Sequence, residues 1–272
     1  MIDDRALAAV AARLARVGGV VGVMLGGSRA RGEHASDSDF DLGLYYRGGL
    51  DLAALRELAV DVAGPEARLT APGEWGPWVD GGGWLTIEGA AVDWIYRDLD
   101  RVRASWRDAA AGRFAFHAQV GHPLGFPDFA YAGEVALGVV LADPTGELAA
   151  LRERAGHYPE ALARALVARL QEADFVLRIA AKAAPRGDTA YVAGCLFRVV
   201  GLCAHALHGR ASRWAINEKG LVTAAGRLPA APPGFAERAH AILGGLGTTP
   251  ASLTAAITRT VALLARTRDA CA

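Results

Sequence analysis

Asp39 and Asp41 stand one residue apart in the run GGSRARGEHASDSDFDLGLYY, residues 26–46. The segment FDLGLYY (40–46) reads as a strand, in which side chains alternate faces and rise about 3.3 Å per residue. Phe40, Leu42 and Leu44 then share a core face. Asp39, Asp41 and the side-chain-free Gly43 share the other, with the aspartate Cα atoms roughly 6–7 Å apart. Two carboxylates at about 6 Å repel by about 3 kcal/mol at an effective dielectric near 20. A hard divalent cation relieves that cost. Mg²⁺ takes one or two carboxylates, keeps several waters and binds substrate phosphates. The pair therefore suits Mg²⁺ held against a nucleotide. For an isolated acid–apolar–acid triplet a solvated strand edge is the commoner use, so the neighbourhood has to decide.

That neighbourhood is a phosphate-type turn. VVGVML (20–25) reads as a buried strand and runs directly into Gly26, Gly27 and Ser28. Glycines let backbone N–H groups approach an anion closely. Ser28 adds a hydroxyl donor, and the polar segment after it can open a helix whose N-terminus favours phosphate. Arg29 and Arg31 flank the turn as further phosphate candidates. Ser38 either donates to phosphate or opens the strand. GxxxxGK[ST] occurs nowhere in the chain and GxGxxG is absent here, so this is neither a Walker loop nor a dinucleotide fingerprint.

Gly27-Ser28, ten residues, then Asp39-Phe40-Asp41-Leu42 resembles the nucleotidyltransferase signature, and SDSDFDL resembles its form in bacterial antibiotic nucleotidyltransferases. The whole organisation is similar to the aminoglycoside and lincosamide members. The resemblance implies an α+β fold: a small polymerase-β-like domain, a mixed sheet with flanking helices, followed by a helical bundle. It implies Mg²⁺ at Asp39 and Asp41, and an NTP, ATP by expectation, bound through Gly27, Ser28, Arg31 and Ser38. It also implies a third acid on a later strand. In GAAVDWIYRD, Asp93 points away from Val92, Trp94 and Tyr96 in a run otherwise too apolar to welcome a charge. By the resemblance Asp93 completes the metal site or acts as general base on the acceptor hydroxyl. Glu88 competes for this place, while Asp98 and Asp100 read as caps of the next helix. Lys219, near the start of a later helix, matches a lysine that reaches the triphosphate and neutralises the leaving pyrophosphate. Lys182 and Lys219 are the only lysines among 29 basic residues.

The implied reaction moves an NMP to a hydroxyl of a small molecule, with an aminoglycoside-like acceptor suited to the acids around the site. A protein-modifying enzyme of a toxin–antitoxin pair and a non-catalytic nucleotide-binding regulator are the alternatives. The acceptor, the preferred base and the oligomeric state have no readable signal.

Elements must position these residues. Helical periodicity runs over 3–17, 51–64 and 99–112, ARLTA (67–71) reads as a strand, and 84–98 reads as a hairpin. Residues 121–133 read as a loop or linker. Beyond it, helices are expected at 134–141, 146–156, 159–184, 189–209, 217–226, 234–244 and 250–268. The nucleotidyltransferase domain is expected over 1–115 and the helical domain over 116–272. Formal net charge is zero, so no basic excess points to nucleic acid. Three cysteines without CxxC spacing exclude a disulfide framework and a structural zinc site. They fit a reducing, cytoplasmic setting. The N-terminus lacks the pattern of a signal peptide, and no uninterrupted run of about 18 apolar residues predicts a membrane span. Cys203, His205 and His208 lie on one helix without a second cluster and read as a buried thiol and ordinary histidines. The tryptophans at 75, 78, 84 and 94 read first as core, with the Trp75–Trp78 loop able to edge a cleft.

Overall fold

A computed structural model describes residues 2–32, 35 and 38–272. The architecture is α+β: a mixed five-stranded sheet with flanking helices, followed by a helical region. The chain divides into two compact units, Met1–Asp108 with Ala115–His157, and Ala109–Phe114 with Tyr158–Ala272.

In the first unit the strands are β1 (Val20–Leu25), β2 (Phe40–Tyr46), β3 (Gly82–Ile87), β4 (Ala90–Asp98) and β7 (Val139–Ala142), with spatial order β3-β4-β2-β1-β7. β2 and β4 run parallel and the other neighbours antiparallel. One face packs on α1 (Asp4–Leu14) and α3 (Leu52–Ala63), through Leu7, Val10, Leu14, Leu42, Leu44, Leu55, Val92, Trp94 and Tyr96. Both helices start on aspartate caps: Ala6 N–H donates to Asp3 Oδ1 at 2.7 Å, and Ala54 N–H to Asp51 Oδ1 at 3.0 Å. Such caps satisfy a helix-end donor that otherwise lacks a partner. A separate hairpin, β5 (Phe116–Gln119) with β6 (His122–Pro127), precedes α5 (Ala130–Leu137), and α6 (Glu147–Ala155) follows β7.

Three sequence expectations differ here. Residues 121–133 are no linker, since they contain β6 and the start of α5. The helix expected at 134–141 is the end of α5 followed by β7, whose β-branched Val139 and Val140 pair with Leu25 and Met24 of β1. This pairing adds a strand to the sheet and carries the first unit to His157, past the boundary expected at 115. ARLTA makes no ladder. Thr70 alone bonds Gly82, its N–H to the carbonyl at 2.9 Å and its Oγ1 to the Gly82 N–H at 2.9 Å.

In the second unit the helices are α7 (Glu160–Ala168), α8 (Gln171–Ala183), α9 (Thr189–Arg210), α10 (Leu221–Gly226), α11 (Phe235–Gly244) and α12 (Pro250–Cys271). The single helix expected over 159–184 is two, and the break at Arg169–Leu170 contains no glycine or proline. Leu170 is buried there, and Leu170 and Ala173 N–H groups bond three residues back instead of four. α9 is the core of this unit. Among the described residues it is the one helix long and apolar enough to cross a membrane, yet 67% of its most apolar window is buried in the fold. Burial of His205 on α9, with the nearby His208 and Arg198, lowers its pKa to about 3, so it packs as a neutral ring. The cysteines are free and buried.

Candidate active site

The site grows from the crossing of β1 into β2. Gly26 N–H donates to the Asp41 carbonyl at 2.7 Å, stitching the turn to the strand that carries the acids. Gly27 follows with φ +63, and a Cβ there would lie 1.7 Å from Asp41 Oδ2. Glycine is required twice, by backbone conformation and by the carboxylate packed against its Cα. Ser28 lies in the short α2 (Gly27–Ala30).

Parallel pairing sets Asp41 beside Asp93, and antiparallel pairing sets Trp84 beside Asp93. Paired residues project from the same face. Asp41 and Asp93 are half-buried, and Asp39 is exposed just ahead of β2. Burial, then Asp41, then Asp39 push the Asp93 carboxyl up to about 6. Asp41 is raised by burial, Asp39 and Glu134, with Arg31 and Arg97 opposing. Asp39 and Asp41 thus both act on Asp93, and Asp39 acts on Asp41. Among the described residues no group of three His, Cys, Asp or Glu side chains forms a ready-made metal cage.

The remaining expectations sort by position. Glu88 occupies the two-residue β3–β4 turn with Gly89, at φ +51 and +78, which removes it from the carboxylate row. Asp98 caps α4 (Leu99–Ala110), accepting from Asp100 and Arg101 N–H at 2.9 and 3.2 Å. Asp100 pairs instead with Arg47 at 3.1 Å. Arg29 donates from Nε and Nη2 to the Ser38 carbonyl at 2.8 and 2.6 Å, with its guanidinium 3.8 Å from the Phe40 ring centre. It orders the entry to β2. Ser38 Oγ accepts from Ala35 N–H at 3.0 Å, closing the same entry. Arg31 is exposed. Ser36 and Asp37 of the SDSDFDL motif lie outside the described residues. Lys219 belongs to the second unit, exposed in a turn ahead of α10, where its N–H donates to Asn217 Oδ1 at 2.9 Å.

Two features escaped sequence reasoning. Beneath the acids, buried Arg97 on β4 is bound bidentately by Glu134 of α5 at 2.6 and 2.8 Å. Arg97 lies two pleats beyond Asp93 on the same face, a spacing readable in the sequence, but its partner is 37 residues away. The second is Trp84, which is 72% exposed where a core role was expected.

A segment of the first unit carries the class, a nucleotidyltransferase domain. Residues 7–72 match the family model described as a nucleotidyltransferase domain, a span that holds Gly27, Ser28, Arg31, Ser38, Asp39 and Asp41. The enzyme class is therefore nucleotidyltransferase. Residues 131–220 match a second model, a domain of unknown function (DUF4037). No curated protein matches the chain. Among solved structures, a nucleotidyltransferase-like protein from Exiguobacterium sibiricum 255-15 is similar at 12% identity, over 96% of this chain and 74% of that chain, with a TM-score of 0.47.

Proposed function

We propose that the protein transfers an NMP from Mg²⁺–ATP to a hydroxyl of a small molecule, releasing pyrophosphate. One observation carries the reading: Asp41 and Asp93 are register partners on parallel strands, and Gly27 packs against the Asp41 carboxylate. Asp39 and Asp41, with Asp93, would hold Mg²⁺, which when bound offsets their repulsion and draws charge from the phosphoryl oxygens. The Gly27–Ser28 turn would bind the phosphates through backbone N–H groups and a hydroxyl, with Arg31 and Ser38 as nearby polar groups. Asp93 would take the acceptor's proton, the role that the family resemblance implies for it. Lys219 carries the leaving-group role that the family resemblance assigns to it. An aminoglycoside-like acceptor is the suggestion of the same resemblance.

The test is calorimetric binding of a non-hydrolysable ATP analogue with and without Mg²⁺, on wild type and Asp41→Ala. Mg²⁺-dependent binding that disappears in the variant is expected. Binding indifferent to both metal and Asp41 would sink the proposal.

A further inference from the structure

The row of side chains holding Asp41 and Asp93 continues one strand further, to Trp84. Its β3 neighbours Leu85 and Ile87 are buried, whereas Trp84 is 72% exposed. A single exposed apolar residue needs no explanation, but this one is built in. Trp75 stacks on it with ring centres 4.5 Å apart and planes at 21°. The loop carrying Trp75 is clamped from the β5–β6 hairpin by Gln119, which is itself buried. Gln119 Nε2 donates to the Trp75 carbonyl at 2.7 Å, and its Oε1 accepts from Trp78 and Val79 N–H at 2.9 and 3.1 Å. Gly76, at φ +125, leaves room for that amide, since a Cβ there would lie 2.7 Å from it. Across the sheet the order is Trp84, Asp93, Asp41, then the Gly26–Ser28 turn.

We infer that Trp84, backed by Trp75 and fixed through Gln119, is the platform for the acceptor; this rests on the nucleotidyltransferase reading above. Phosphoryl transfer puts the attacking and leaving oxygens in line on opposite sides of phosphorus. With the β- and γ-phosphates over the Gly26–Ser28 turn, the leaving side faces β1. Attack then comes from the β4–β3 side, where Trp84 stands beyond Asp93. The acceptor hydroxyl oxygen bonds to the α-phosphorus, and the bond to the bridging oxygen breaks. Pyrophosphate leaves with that electron pair, and the hydroxyl proton passes to the Asp93 carboxylate and on to solvent. The matching occupant is a hydroxyl-bearing ring whose flat C–H face lies on the indole, either a sugar or an aromatic alcohol.

Two neutral probes, methyl β-glucoside and benzyl alcohol, separate these sources. Each is titrated by calorimetry with Mg²⁺ and the ATP analogue present. A saturable change with at least one probe is expected in wild type, retained in Trp84→Phe and lost in Trp84→Ala. Analogue affinity measured by calorimetry should stay within about threefold in Trp84→Ala. A loss beyond about tenfold there would mean that the nucleobase occupies the platform, and would overturn the proposal. So would the absence of a saturable change with both probes in wild type. Failure of wild type to bind the analogue with Mg²⁺ would instead remove the nucleotide reading, and with it the assignment of the platform to an acceptor.

Discussion

Asp93 shows what three carboxylates cost when they share one end of a sheet. Burial and its acidic neighbours hold its carboxyl at about 6 against an ordinary 3.8. A raised carboxyl in the folded state means that the metal-free protein has no penalty below pH 3.8 and an increasing one as pH rises through about 6. Asp93→Asn removes the charge, so at pH 7.5 with chelator it should melt higher than wild type. Discounted for the side chain's partial exposure, the gain is about 1 kcal/mol, or about 2–4 °C. At pH 4 the two proteins should melt together; an equal difference at both pH values would show that charge is not the cause. Protons and metal compete for the same oxygens. Affinity for the Mg²⁺–ATP analogue should therefore fall by about tenfold per pH unit once pH drops below about 6, read by calorimetry between pH 5 and 8. A flat profile would exclude Asp93 from the metal shell.

At the scale of elements, the β3–β4 hairpin decides which acid joins the row. Ile87 pairs with Ala90, so Glu88 and Gly89 are the two turn residues, both at positive φ. Such turns favour Asn-Gly because the left-handed region is costly for a residue with an ordinary side chain. Glu88→Asn should therefore stabilise the protein by about 0.5–1 kcal/mol, seen as a higher urea midpoint. Metal-dependent nucleotide binding should be unchanged, and its loss would reinstate Glu88 as the third ligand. The same element-level reasoning covers Arg97 and Glu134. A half-buried carboxylate that acts on Asp41 is tolerable because both its oxygens are bonded by the buried Arg97 guanidinium.

For the whole molecule, the residue to test is Lys219 of the second unit, to which the family resemblance gives the leaving-group role. Lys219 is exposed, so Lys219→Ala should leave stability within about 0.5 kcal/mol. If it neutralises the leaving pyrophosphate, the same change should lower turnover by about tenfold or more, measured as pyrophosphate release. Full turnover in the variant would return Lys219 to an ordinary surface position. The unit boundary itself belongs to this scale. β7 lies over 110 residues beyond β1 in the chain yet completes the sheet, and no local pattern announces so distant a pairing.

Local order was legible where physics is local. The alternation in FDLGLYY placed Asp39 and Asp41 opposite the core leucines, the Gly-Gly-Ser turn stood directly after its strand, and Asp98 was readable as the cap of the helix that follows it. Asp93 was readable as an outward charge in an apolar strand. What waited for tertiary structure were relations between distant segments: the register that sets Asp93 beside Asp41 and Trp84 beside Asp93, and the Gln119 clamp that builds a platform from two tryptophans. Side-chain period depends on neighbours a few residues away. Strand register, sheet order and the exposure of an indole depend on contacts that loop closure brings together across the chain, and composition alone assigns none of them.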